Sequence, residues 1–135
     1  MIFWITGKKN AGKTTAARQL VHGYASIGES LIILDGDDVR EAMGTSGADQ
    51  FTHEARRNNQ VTMASFAIVL VKQGFHVAIP CVSPSSEIRK ECFGKFKDAG
   101  VAAKLICITG GTLWEGTTYD QPGDDEPHQT YKGNE

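Results

Sequence analysis

Short unbroken apolar runs alternate along this chain with stretches in which apolar residues recur every three or four positions. Met1-Ile2-Phe3-Trp4-Ile5-Thr6 has the pattern of a buried strand. From Lys13 to about Ile27, the positions Ala16, Ala17, Leu20, Val21 and Tyr24 mark one face of a helix, with Gly28 placed to end it. Leu31 to Leu34 is a second strand closing on Asp35, and a short helix is expected from Asp38 to Met43. Gly44 to Ala48 is rich in turn formers, and a long helix from about His53 to Gln73 stops at Gly74. A third strand follows at His76 to Pro80. Pro84 suits the first turn of a helix that runs to about Ala99 with Ser83 as its cap, and Ala102 to Ile108 is a fourth strand. Strands alternating with helices predict an α/β fold: a parallel sheet between helical layers, α/β/α, that takes its ligands at the carboxyl ends of the strands.

Past Thr109 the periodicity fades. Glycines and prolines punctuate a polar stretch whose large apolar groups are Leu113, Trp114, Tyr119 and Tyr131, and at most one short strand is expected, near Gln129 to Tyr131. At 135 residues the chain is read as one domain, with a core at 1–108 and an irregular tail at 109–135 packed on it. Charge divides at the same place. Residues 1–108 carry 13 Lys and Arg against 10 Asp and Glu, whereas 109–135 carry Lys132 against six acids, which makes the core the anion-facing part. Cys81, Cys92 and Cys107 form no C-x-x-C pair and fit buried, reduced thiols. The longest apolar run, Met63 to Val71, is too short to span a bilayer, and the chain begins directly in a strand, so a cytoplasmic protein is expected.

Directly after the first strand, Gly7-Lys8-Lys9-Asn10-Ala11-Gly12-Lys13-Thr14 spells G-x-x-x-x-G-K-T. In this pattern glycines let successive backbone amides turn toward a triphosphate, the lysine reaches the β and γ phosphates, and the threonine hydroxyl can hold Mg²⁺. Gly7 through Thr14, with Thr15, are therefore candidate ATP-binding residues in a fold similar to the P-loop kinases. Lys13 is also a catalytic candidate, and Thr14 a metal ligand.

A second cluster, Leu34-Asp35-Gly36-Asp37-Asp38-Val39-Arg40, follows the second strand and so lies beside that loop. Carboxylates there can hold Mg²⁺ or accept a proton from an attacking hydroxyl, which makes Asp35 and Asp37 catalytic candidates and Asp35 a metal candidate. Acids preceding a helix also serve as N-caps, the reading favoured for Asp38. Gly36 between the two carboxylates suggests a close approach of backbone to ligand.

These blocks resemble the adenylyl-sulfate kinases (APS kinases), which have a similar strand-loop-helix start and a similar Leu-Asp-Gly-Asp-x-Val-Arg segment. Phe51 with Arg56 and Asn59 is similar to the family's Phe-x4-Arg-x2-Asn signature, and Val82-Ser83-Pro84 with Arg89 to its Ile-Ser-Pro-x4-Arg stretch. The resemblance covers roughly residues 2–108. It implies transfer of the ATP γ-phosphoryl to the 3′-hydroxyl of adenylyl sulfate, with Arg40, Phe51, Arg56, Asn59, Val82 and Ser83 lining the acceptor site. Phe51 would stack on the acceptor's adenine. It also implies a homodimer, and neither a membrane nor a nucleic acid is an expected partner. Two arginines and an aromatic at the strand ends suit an anionic nucleotide on physical grounds as well. Other readings stay open at single positions. Arg40 can pair with Asp37 or Asp38, Phe51 can be core packing and Ser83 only a cap, while His53 and His128 are read as surface side chains.

The chain departs from the family after the fourth strand. It has nothing similar to the family's Arg-Asp-Pro-Lys-Gly-Leu-Tyr lid, no arginine follows Arg89, and Tyr119-Asp120-Gln121-Pro122 resembles a later Tyr-Glu-x-Pro segment. Lys8 or Lys9, or a neighbouring subunit's arginine, is a candidate for the missing charge, and Trp114 for part of the missing cover. Kinase activity on another nucleotide or a nucleic-acid end is the nearest alternative, and a non-catalytic nucleotide-binding module a more distant one.

Overall fold

The computed structural model describes residues 1–47 and 52–134. Nine elements follow in order: β1 (Ile2–Gly7), α1 (Lys13–Ala25), β2 (Leu31–Ile33), α2 (Gly36–Ala42), α3 (His53–Lys72), β3 (His76–Pro80), α4 (Ser86–Asp98), β4 (Ala103–Thr109) and β5 (Gln129–Lys132). The strands form one sheet in the order β2-β3-β1-β4-β5, and every pairing is parallel.

The period-2 alternation of β1 separates the two apolar layers. Ile2 and Trp4 point to a cluster with Val77, Ile79 and Leu105 that α3 and α4 cover through Met63, Ala64, Ala67, Ile88, Cys92 and Phe96. Phe3 and Ile5 point the other way, to Ala78, Ile106 and Ile108, where α1 brings Ala17 with Leu20, Val21 and Tyr24 around it. This is the expected three-layer sandwich. Burying each large apolar side chain contributes roughly 1.5–3 kcal/mol, and strands and helices share that burial in both layers.

Several boundaries move, for local reasons. Helix α1 stops at Ala25 rather than Ile27, because the turn that follows is closed by Gly28 N–H to the Ala25 carbonyl (3.1 Å), with Gly28 at φ 78°. Helix α2 starts two residues early. Its cap is Asp35, whose carboxylate accepts from the Asp37 and Asp38 amides, so Asp38 sits in the first turn and is not the cap. Helix α4 is capped by Ser85, which accepts from Ile88 N–H at 3.3 Å, not by Ser83.

Residues 110–128 contain no helix or strand, yet they are held to the core by polar contacts. Arg89, fully buried, forms a two-pronged ion pair with Glu126 (Nε to Oε1 3.0 Å, Nη2 to Oε2 2.9 Å) and donates to the Ser83 and Asp120 carbonyls. The Tyr119 hydroxyl meets Thr6 Oγ1 at 2.8 Å. Beyond them β5 adds to the β4 edge, the short strand expected there. Among the described residues no helix is long and apolar enough to cross a membrane.

Candidate active site

The carboxyl ends of β1, β2 and β3 open on one cavity of about 390 Å³, within the range of small-ligand sites. One wall is the loop between β1 and α1. Gly7 has to be glycine for packing: a Cβ there would lie 2.6 Å from the Ile108 carbonyl of the neighbouring strand. The left-handed turns that the loop needs are made instead by Asn10 (φ 63°) and Gly12 (φ 110°). Gly12 caps α1 without a side chain, and no acid occupies the first turn, so the positive end of the helix dipole is left to an anion. Lys13 folds back over the loop and donates from Nζ to the Gly7 (2.9 Å) and Lys8 (2.7 Å) carbonyls. Burial, only partly offset by Asp35 and Asp37, holds its ammonium below the ordinary lysine pKa. Its charge therefore lacks a full counter-charge.

The second wall starts at Asp35. One carboxylate oxygen, Oδ1, accepts from the Asp37 amide at 2.9 Å, while Oδ2 lies 3.5 Å from Thr14 Oγ1. A hydroxyl and a carboxylate oxygen so placed fit a hard cation whose remaining ligands come from phosphate and water. Asp37 is exposed and ion-paired with Arg40. Gly36 lines the cavity and also packs against Cys81, where a Cβ would lie 3.0 Å from the Cys81 Cβ just beyond the end of β3. Burial pushes the Cys81 thiol up to about 12, which keeps it protonated at neutral pH.

Helix α3 contributes Arg56, Asn59, Gln60 and Met63 to the lining. Arg56 lies close enough to Arg40 that, after burial, that like charge further lowers its pKa. Asn59 lines the cavity, and its Oδ1, itself shielded from solvent, has no hydrogen-bond partner among the described residues. Ser83 also lines the cavity, but its hydroxyl is engaged. It accepts from Trp4 Nε1 (3.1 Å) and donates to Gln60 Oε1 (2.8 Å), with its backbone left-handed at φ 47°.

Of the candidate residues, Lys9, Asn10, Gly12, Lys13, Thr14, Thr15, Asp35, Asp37, Arg40, Arg56, Asn59, Val82, Ser83 and Trp114 line this one cavity, whereas Gly7, Lys8 and Ala11 belong to the loop but not to the lining. Phe51 lies outside the described residues. His53, His128 and Asp38 do not line it. The cysteines are not uniformly buried as expected: Cys92 and Cys107 are, whereas Cys81 is only half-buried and lines the cavity. Pro84, part of the Val82-Ser83-Pro84 stretch, lines it too, whereas Gln60, Met63, Pro80 and Asn134 are lining residues that the sequence does not mark as site residues. Gln60 follows Asn59 and was open to the same reasoning. Asn134 arrives only through the β4–β5 pairing, where its N–H donates to the Ala11 carbonyl (2.9 Å) and its Nδ2 to the Asn10 carbonyl (3.1 Å).

The adenylylsulphate kinase family model matches residues 1–110. The adenylyl-sulfate kinase of Deinococcus deserti is 38% identical over 111 residues, which are 80% of this chain and 60% of that one. A probable adenylyl-sulfate kinase of Pyrococcus abyssi is 31% identical over 76% of this chain and 59% of its own. The chain thus spans about 60% of the length of these relatives. Among solved structures, the Mycobacterium tuberculosis APS kinase CysC in complex with AMPPNP and APS superposes with a TM-score of 0.74 at 26% identity, over 79% of this chain and 61% of that one. Sequence match, fold and cavity agree, and the chain belongs to the adenylylsulphate kinase family.

Proposed function

We propose that this protein transfers the γ-phosphoryl of ATP to the 3′-hydroxyl of adenylyl sulfate, giving the 3′-phosphorylated product and ADP. The observation that carries this reading is the single cavity that places the Lys13 loop opposite Asp35, Asp37, Arg40, Arg56 and Asn59.

In this reading the loop amides and the α1 N-terminus cradle the triphosphate, and Lys13 exchanges the Gly7 and Lys8 carbonyls for β and γ oxygens. Thr14 and Asp35 would hold Mg²⁺, which supplies charge neutralisation across the phosphates. Because Asp35 already accepts from the α2 amides and faces Thr14, the exposed Asp37 is the carboxylate that orients the acceptor. As the 3′-oxygen bonds to the γ-phosphorus, the bond to the β–γ bridging oxygen breaks and ADP leaves. The hydroxyl proton passes to Asp37 and on to solvent. Arg40 and Arg56 match an acceptor bearing a phosphosulfate, and the Asn59 side chain, which lines the same cavity, suits a ribose hydroxyl or a base N–H. Residues 1–108 act as the catalytic core with 109–135 as a tail packed on it, in a cytoplasmic protein, and a homodimer is what the family resemblance implies.

The test is a product assay with Mg-ATP and, in parallel, adenylyl sulfate, free nucleosides and 5′-hydroxyl oligonucleotides. The reading predicts 3′-phosphoadenylyl sulfate and ADP in equal amounts from the first and little from the rest. Turnover with another acceptor, or with none, contradicts it.

A further inference from the structure

The cavity has four lining cations, divided between its walls. Arg40 and Arg56 stand on the acceptor side, next to Asp37, and Lys9 and Lys13 on the phosphate-loop side. Lys13 is tied to loop carbonyls. Lys9 is held differently: its ammonium lies 5.4 Å from the centroid of the Trp114 ring, and both side chains line the cavity.

The backbone beneath this pair is fixed at close range. Thr112 N–H donates to the Lys9 carbonyl at 2.8 Å in an isolated antiparallel bridge. Gly111, at φ 76°, packs so tightly that a Cβ would fall 2.4 Å from the same carbonyl. The Gly111 N–H in turn donates to the Asn134 carbonyl at 2.7 Å, and Asn134 holds Asn10 and Ala11. Residues 111–114 and 133–134 therefore clamp the loop, and Trp114 stands where it can carry the Lys9 side chain. The Lys8 side chain does not line the cavity, and its carbonyl accepts from Lys13.

A lysine over a half-buried indole is held more weakly than by a charge-assisted hydrogen bond to phosphate. A triphosphate in the loop brings several negative charges to a wall whose other lining cation is Lys13. We propose that Lys9 is a second phosphate-neutralising residue, resting on Trp114 in the free protein and moving to the terminal phosphate when a nucleoside triphosphate binds. This deepens the kinase reading and rests on it. In transfer, the Lys9 ammonium would offset charge on the terminal oxygens as the γ-phosphorus moves to the acceptor.

The experiment compares Mg-ATP and Mg-ADP affinities, by calorimetry, in the wild type and in Lys9→Met, Lys9→Arg and Trp114→Phe, with melting temperatures alongside. A contact to the terminal phosphate alone predicts that Lys9→Met loses about tenfold or more in ATP affinity while ADP changes little. Lys9→Arg retains most of the preference for ATP. Indole emission should change on ATP addition to the wild type and not to Lys9→Met. Trp114→Phe should remove the response, because the remaining Trp4 is fully buried with its N–H on Ser83. An ATP-to-ADP affinity ratio in Lys9→Met equal to that of the wild type overturns the proposal. If that ratio drops as expected while the wild type phosphorylates no adenylyl sulfate, Lys9 stands and the acceptor assignment falls.

Discussion

The core and the tail of this chain are held in place by different forces. The described residues up to 108 are held by apolar burial on both faces of a central strand, from side chains such as Trp4, Ile5, Ile79 and Phe96 that are almost wholly excluded from water. Residues 110–128 have no regular element, and their attachment relies on hydrogen bonds and ions: Arg89 with Glu126, Tyr119 with Thr6, Asp120 with Pro84. Apolar contacts are non-directional and many, so losing one leaves the others in place. A buried ion pair concentrates the hold in a single pair that tolerates no half-measure. The same contrast runs through the cavity, where the core supplies the loop and the acceptor wall, and the tail clamps the loop through Asn134 and Thr112.

The largest effect tests the core's chemistry apart from its stability. Lys13→Met should lower phosphoryl transfer by about a hundredfold to a thousandfold, yet leave the melting temperature unchanged or slightly higher, because it removes a cation that burial disfavours. Steady-state rates and thermal melts check the two halves separately.

The next effect falls on the tail. Arg89→Leu leaves Glu126 buried without its partner and should cost about 3–5 kcal/mol in denaturant unfolding. The double variant Arg89→Leu with Glu126→Leu should recover much of that, since an apolar pair leaves no orphaned charge. If the single variant unfolds like the wild type, the tail is not held as described.

A subtler break lies where tail meets loop. A Cβ on Gly133 would sit 2.2 Å from the Ala11 carbonyl, so Gly133→Ala must push β5 and the phosphate loop apart. ATP affinity measured by calorimetry should weaken severalfold, with the overall fold kept; an unchanged affinity would mean that the clamp does not shape the loop.

The smallest effect is a pH dependence. The pKa of Lys13 is lower in the folded protein than in the unfolded chain, so the free protein gains stability as pH rises through that lowered value toward about 10.4, the ordinary lysine value. Bound triphosphate favours the charged form, so ATP affinity falls over the same window. Melts and titrations from about pH 8 to about pH 10.5 should show both slopes in the wild type and lose them in Lys13→Met.

What was legible in the sequence follows the same division. The periodicity around Leu20, Val21 and Tyr24, the runs at Ile2–Ile5 and Val77–Ile79, and the phosphate-loop spacing are local signals, and they located the sheet, its layers and one wall of the cavity. Capping was less legible, because Asp35, Ser83 and Ser85 are equally good caps by composition. Which of them serves depends on where the chain turns, and Ser83 is drawn instead to Trp4 and Gln60. The tail was least legible. Its contacts join residues 37 positions apart for Arg89 and Glu126, 113 for Thr6 and Tyr119, and 124 for Asn10 and Asn134. No window of sequence contains both partners.

If one cavity brings the phosphates held by Lys13 to an acceptor hydroxyl, isotope transfer from γ-labelled ATP to adenylyl sulfate should leave label on the acceptor's 3′-oxygen with one ADP per label, and Lys13→Met should lose that product. Label appearing only as free phosphate, or equally in the variant, would contradict that arrangement.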